Sequence, residues 1–281
     1  MASVPEISVG LVKLTFSFRF RLARYCQRYP PLAWMADKLL FEGDDIMVLP
    51  RDDSVKIRQI IIDQEVSRPQ DTVLPSDVLR TMIRKSNNHV IMHRCICRVS
   101  NHCKNFPETL GCIFMGKGAA NIPESVGKAV TMEEALAHVD RCQEAGLVHI
   151  IGRNKIDSVW LNTGPKEELL TICNCCNCCC LWKMLPDLPQ NLSSRMTAMP
   201  GASISIDSDL CIGCGDCLQD NPCYLDAMTM ENGLMTIDSD KCRVCGRCVA
   251  HCPHGAISLH ISVDSVIESV KRVDPLVDVT Q

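Results

Sequence analysis

The sequence predicts an α+β chain, with a mixed α/β, cysteine-rich N-terminal domain followed by a small module of internal pseudo-twofold symmetry. Three observations predict it. Helix-period and strand-period segments mix along the first part of the 281 residues, twenty cysteines fall in dense groups, and a hexapeptide recurs 31 residues after its first appearance. Length and composition divide the chain into an extension at 1–29, a cysteine-rich domain at 30–190, a linker at 191–200, a module at 201–265 and a tail at 266–281.

Near the start, Val12, Leu14, Phe16, Phe18, Phe20 and Leu22 alternate with Lys13, Thr15, Ser17, Arg19 and Arg21. A period of two predicts a half-buried strand over 12–22, or a segment that adds to a partner's sheet edge or lies on a membrane surface. Pro30-Pro31 introduces a helix over 32–40, and Gly43-Asp44-Asp45 turns the chain into an apolar run at 46–49. A further helix follows Pro75, with Ser76 as its N-cap and Val78, Leu79, Met82 and Ile83 on one face. The best-marked helix spans 132–145, opened by the capping-box pair Thr131 and Glu134 and stopped by Gly146. His138 and Cys142 stand four apart on it, a spacing compatible with metal but more ordinary in packing. The Pro-, Ser- and Met-rich stretch 186–201 reads as the connection between domains.

A net charge of −4 recommends neither nucleic acid nor an anionic membrane as a partner. The first 25 residues lack a secretory pattern, because Glu6, Lys13 and Arg19 interrupt it, and no run of 18 apolar residues occurs. The expectation is a cytoplasmic protein, with membrane association not predicted. In a reducing compartment twenty cysteines are thiols or thiolates, and metal explains so many most simply.

The repeat is Ile206-Asp-Ser-Asp-Leu-Cys211 against Ile237-Asp-Ser-Asp-Lys-Cys242. Cys211, Cys214, Cys217 and Cys223 follow the first copy; Cys242, Cys245, Cys248 and Cys252, then Pro253, follow the second. The second set has the full C-x2-C-x2-C-x3-C-P spacing, in which three thiolates on a tight loop reach one cubane and the fourth serves the other. A zinc ribbon needs only two CxxC pairs. The module therefore resembles the two-[4Fe-4S] bacterial ferredoxins, a dicluster ferredoxin-like fold. The resemblance assigns Cys211, Cys214, Cys217 and Cys252 to one [4Fe-4S] cluster and Cys242, Cys245, Cys248 and Cys223 to a second. One departure weakens Cys223: five residues precede it instead of three, and Tyr224 stands where proline is usual. Leu225-Asp226-Ala227 keeps the spacing beyond it, which indicates an inserted loop and a retained ligand.

Ten further cysteines form two groups: Cys95, Cys97, Cys103 and Cys112, then Cys173, Cys175, Cys176, Cys178, Cys179 and Cys180. His93 and His102 add donors beside the first. Spacing alone leaves an iron-sulfur cluster and tetrahedral zinc both open. In the second group adjacent side chains cannot all face one ion, so its six sulfurs must serve several metal atoms or several roles. Cys26 and Cys142 stand apart and read as small buried residues. Gly111-x4-Gly116-Lys117 imitates a phosphate loop, but Gly118 holds the place where Ser or Thr meets Mg²⁺.

The phrases Asp37-Lys-Leu-Leu-Phe-Glu-Gly-Asp-Asp-Ile46, His93-Arg-Cys-Ile-Cys-Arg98, Glu133-Glu-Ala-Leu-Ala137, Gly146-Leu-Val-His149 and Ile172-Cys-Asn-Cys-Cys-Asn-Cys-Cys-Cys180 are similar to an uncharacterised family of 4Fe-4S-binding proteins of anaerobic prokaryotes. That resemblance implies that both N-terminal cysteine groups belong to one site, and it brings no reaction. The expected function is electron transfer, as a carrier or an electron-transfer subunit working with a redox protein or oxidoreductase complex. The alternatives are a reductase whose catalysis occurs at the N-terminal cysteines, and a redox sensor or cluster carrier.

Overall fold

The computed structural model describes residues 4–57 and 73–281. Helices α1 (Val4–Thr15) and α2 (Arg19–Arg28) open it, joined by a 3-10 turn at Phe16–Phe18. The strand expected over 12–22 is thus corrected to helix. Phe16, Arg19, Ala23 and Cys26 are buried at spacings of three and four, whereas Phe18 is 47% exposed. Arg19, assigned by alternation to the polar face, is a core residue. Its guanidinium lies 4.0 Å from the Phe16 ring centroid and 4.1 Å from that of Phe20, where the ring faces attract the cation.

Helix α3 (Pro30–Ala36) starts on its prolines and passes into a π turn at Asp37–Phe41. After the left-handed Gly43 come β1 (Asp45–Val48) and β2 (Val55–Ile57). Helix α4 (Ser76–Lys85) buries Val78, Leu79, Met82 and Ile83 completely. Ser76 is not its N-cap: Pro75 takes that place, and the Ser76 hydroxyl instead donates to Asp52 Oδ2 at 2.6 Å. Strand β3 (His89–Met92), helix α5 (Ile96–Ser100), β4 (Ile113–Met115) and β5 (Gly127–Ala129) follow. Helix α6 (Met132–Glu144) has the expected reciprocal cap, Thr131 Oγ1 accepting from Glu134 N at 3.2 Å and Glu134 Oε2 from Thr131 N at 2.9 Å. Then come β6 (Val148–Arg153), α7 (Lys155–Leu161) and β7 (Leu170–Cys175).

The connection expected at 191–200 is part of the fold. It contains α8 (Gln190–Ser193) and β8 (Met196–Ala198), and β8 pairs in parallel with β1. Leu185, Leu188, Leu192 and Met196 are buried. Prolines and serines here make tight corners between apolar anchors, which composition alone read as a spacer. The seven-stranded sheet runs β5-β3-β4-β7-β6-β1-β8, antiparallel except at β1–β8.

The C-terminal module comprises β9 (Ser203–Ile206), the hairpin β10 (Met228–Glu231) and β11 (Leu234–Ile237), α9 (Arg247–His251) and β12 (Ile257–Ile261). Strand β12 pairs antiparallel with β9 and parallel with β2, so the N-terminal half supplies a strand to the module's sheet. The expected tail is helix α10 (Val263–Val273), which packs on α4. Val266, Val273, Val277 and Val279 share one core with Leu79, Ile113, Ile151 and Leu259. Among the described residues no helix is long and apolar enough to cross a membrane.

Because this core joins both halves, Leu259→Ala should cost about 2–5 kcal/mol and lower the unfolding midpoint of the whole chain. Circular dichroism of helix content and the near-ultraviolet signal of Trp160 and Trp182 should then shift together; two separate transitions in the wild type would contradict a shared core.

Candidate metal centres

The two copies of the hexapeptide build the same turn. Asp207 Oδ1 accepts the N–H groups of Asp209 and Leu210 at 2.9 and 3.3 Å, and Asp238 Oδ1 accepts those of Asp240 and Lys241 at 3.0 and 3.2 Å. Each turn then delivers its first cysteine, Cys211 N bonding to Asp207 O at 3.0 Å and Cys242 N to Asp238 O at 2.9 Å. Within the loops, Gly213 and Val244 hold left-handed backbones at φ 68° and 50°, as do Gly215 and Gly246 at 77° and 82°. These reversals let three sulfurs of one short loop turn to one side.

The fourth cysteine of each set sits in the other half. One cavity is lined by Cys211, Cys214, Cys217 and Cys252, and another by Cys223, Cys242, Cys245 and Cys248. Cys223 and Cys252 are held alike, accepting N–H bonds from Ala227 at 3.4 Å and Ala256 at 3.3 Å. Cys223 therefore keeps its place despite the longer approach. The extra residues are absorbed by Asp220 and Asn221, both left-handed at φ 59° and 46°. Their carbonyls accept from Asn177 Nδ2 at 3.4 Å each, so the insertion touches the N-terminal cysteine run. Burial pushes the Cys242 thiol up to about 11 and also raises Cys217, Cys245 and Cys248. A metal binding these sulfurs must displace protons.

Strand alternation sorts the N-terminal run. Cys173 and Cys175 on β7 point to one face, while Asn174 between them bonds His149 Nδ1 through Oδ1 at 2.8 Å and Gly111 O through Nδ2 at 2.7 Å. Cys95, Cys97, Cys112, Cys173, Cys175 and Cys180 line one cavity. Within it Cys112 and Cys173 sulfurs lie 3.7 Å apart, and Cys175 and Cys180 3.2 Å. Cys103, Cys176, Cys178 and Cys179 gather separately, their four sulfurs all within 4.8 Å of one another, and Cys176 also borders the larger cavity. The two sequence groups are thus interleaved in space. His138 is buried against Gly111 O at 2.9 Å and Cys142 is buried beside Leu147, outside both arrangements. His93 bonds Glu124 O at 2.7 Å. The loop imitating a phosphate site packs Gly116 and Gly118 against Glu168 O.

Sequence motifs missed the walls of this cavity. Val12 and Phe16 cover it, so the N-terminal extension belongs to the site, and Asn154, Asp157, Trp160 and Trp182 complete it. Trp160 donates to Asp157 Oδ1 at 2.9 Å, and burial lifts the Asp157 carboxyl to about 6. Three buried arginines surround the cysteines. Arg98 is fully buried, donating to Leu110 O at 2.7 Å and Asn174 O at 2.6 Å, and Arg247 donates to Cys175 O. Burial lowers the pKa of Arg19, and the sulfurs of Cys97, Cys180 and Cys179 act against that. Among the described residues, Nε of each of these three has no hydrogen-bond partner, and none of the three pairs with a carboxylate. Burial works against the Arg98 charge, but the sulfurs of Cys95 and Cys176 outweigh it and raise its pKa. Cys175 is held low by hydrogen bonds from the Cys173 and Cys180 thiols, with Arg98 and Arg247 adding attraction. A buried cation costs several kcal/mol unless compensated; this cluster of cations fits an anionic thiolate-bound group.

Residues 235–258 match the family described as 4Fe-4S binding domain. This chain carries an iron-sulfur binding segment. The match takes in β11 and the loop of Cys242, Cys245, Cys248 and Cys252. No curated protein and no solved structure matches the chain.

Gly213 lies where an added Cβ would meet Gly233 O at 1.9 Å, so Gly213→Ala must displace the β10–β11 hairpin or the first cysteine loop. Iron content of purified protein should fall for that variant and stay near wild type for Val244→Ala, whose backbone already carries a side chain; equal iron in all three proteins would contradict the geometry.

Proposed function

We propose that the chain is an iron-sulfur electron-transfer protein with two [4Fe-4S] clusters, one held by Cys211, Cys214, Cys217 and Cys252 and one by Cys242, Cys245, Cys248 and Cys223, and with a further redox centre among the N-terminal cysteines. The observation that carries this reading is the exchange of fourth ligands. Each cavity takes three sulfurs from one half-repeat and its fourth from the other, the pattern of two-cluster ferredoxins. When bound, such clusters supply one-electron transfer, and the chain needs no acid, base or nucleophile for it.

The chain's own residues set direction and bias. Cys214 is exposed, and Ile212 and Leu210 beside it are 66% and 49% exposed, so a partner redox protein meets the first cavity. The second cavity faces inward: Cys223 and Cys245 pack with Cys175, Cys180 and Tyr224 in one core. Tyr224, at the position usual for proline, bridges the two cysteine systems, and Arg247 joins them through Cys175 O.

Local charge ranks the two clusters. From 201 to 240 there are eight carboxylates and no Lys or Arg. Around the second set, the charge of Lys241 is offset by Asp238 at 3.1 Å, Arg243 keeps its charge while donating to Met196 O at 2.6 Å and Cys242 O at 3.2 Å, and Arg247 is the buried cation acting on Cys245. Reduction adds negative charge, so Arg247 raises the potential of the cluster at Cys242. An anaerobic redox titration followed by EPR should show one cluster of lower potential in Arg247→Gln than in wild type, that cluster being the one lost in Cys245→Ser. No shift, or a shift in the cluster lost in Cys214→Ser, contradicts the assignment.

A further inference from the structure

The N-terminal cysteines split by distance into two kinds of site. Among the described residues, Cys103, Cys176, Cys178 and Cys179 form the one group of three or more metal donors whose ligand atoms all lie within 4.8 Å of one another. Cys103 and Cys178 sulfurs are 3.6 Å apart. Four thiolates at about 2.3 Å around one tetrahedral ion stand ~3.8 Å from each other. In a cubane each thiolate binds a different iron, which drives the sulfurs farther apart; the ferredoxin-type sets do not meet the closer limit.

We infer that Cys103, Cys176, Cys178 and Cys179 hold a single tetrahedral divalent ion, zinc(II) or iron(II), separate from the centre in the cavity of Cys95, Cys97, Cys112, Cys173, Cys175 and Cys180. The inference deepens the N-terminal centre of the reading above by dividing its ligands. The surroundings suit a closed site. Cys176 and Cys179 are buried, and Leu110, Leu147, Cys142 and Phe106 pack around them, leaving an apolar shell. Asn101 Nδ2 donates to Cys179 O at 3.2 Å and ties the same two segments together.

The local fold gives the ion its task. Between α5 and β4 the chain has turns and bends but no helix or strand. Cys103 is the sulfur that segment contributes, and the other three come from the turn after β7. One ion therefore staples an irregular loop to the strand that carries Cys173 and Cys175. Arg98, which bonds Pro107 O and Leu110 O within this loop and Asn174 O on β7, reinforces the same junction. Soft thiolates in a tetrahedron select zinc or iron over harder ions.

The test is metal and acid-labile sulfide analysis of the full chain purified anaerobically, with X-ray absorption at the zinc and iron edges. Wild type should contain one zinc, or one iron without matching sulfide, surrounded by four sulfurs at about 2.3 Å and no neighbouring metal. Cys103→Ser and Cys178→Ser should each lose that ion while the iron and sulfide bound through Cys211 and Cys242 stay at wild-type levels. Loss of iron and sulfide together in these variants, or unchanged metal content, overturns the inference. If either variant fails to accumulate, the wild-type protein decides alone: neither zinc nor iron in excess of sulfide, or a zinc with an iron neighbour or a shell of mixed nitrogen and sulfur, overturns it. Absence of iron at the Cys211 and Cys242 sets would defeat the dicluster reading and leave this ion unaffected.

Discussion

Most of this structure depends on how negative sulfur is held inside an apolar interior. Thiolates are stable there only if positive charge, N–H donors or metal offset their desolvation. Arg19, Arg98 and Arg247 lie buried among cysteines and, among the described residues, pair with no carboxylate, while Ala227 and Ala256 aim N–H groups at the fourth sulfur of each ferredoxin-type set. The fold places these groups from distant parts of the chain: Arg19 from the N-terminal helices, Arg98 from α5, Arg247 from α9.

The same requirement explains why the halves are fused. A small ferredoxin-like unit has little apolar area of its own, and here its sheet is extended by β2 and its faces are covered by α10 and the long sheet's core. The β1–β2 connection also clasps the second cysteine loop, Arg51 N donating to Cys245 O at 3.1 Å. One end of the cysteine system is thereby enclosed and the other, at Cys214, reaches solvent.

Much of the ferredoxin-type segment was legible in the sequence, because the ligand spacing, the repeated Ile-Asp-Ser-Asp and the compensating insertion are local features. The capped helix α6 and the buried face of α4 were legible for the same reason. What was illegible was tertiary. Arg19 alternates with phenylalanines as in a strand, yet its burial is set by helices packing over the cysteine cavity. The proline-rich stretch carrying β8 gains its strand from pairing with β1, which no local pattern encodes. The two N-terminal cysteine groups, which a resemblance assigned to one site, are interleaved in space, Cys112 beside Cys173 and Cys103 beside Cys178, and their sorting between the cavity and the four-sulfur cluster follows strand alternation at Cys173 and Cys175 and the turn at Cys176.

On the proposed reading, the exchanged cysteine sets hold two cubanes packed into one body with the N-terminal half. Mössbauer spectroscopy of the ⁵⁷Fe-enriched full chain, compared with Cys223→Ser and Cys252→Ser, tests it most directly. Wild type should show about eight irons in cubane signals, and each substitution should alter one cluster: Cys252→Ser the one held by Cys211, Cys214 and Cys217, and Cys223→Ser the one held by Cys242, Cys245 and Cys248. Cubane iron of four or fewer per chain, or an unchanged spectrum in both variants, would contradict it.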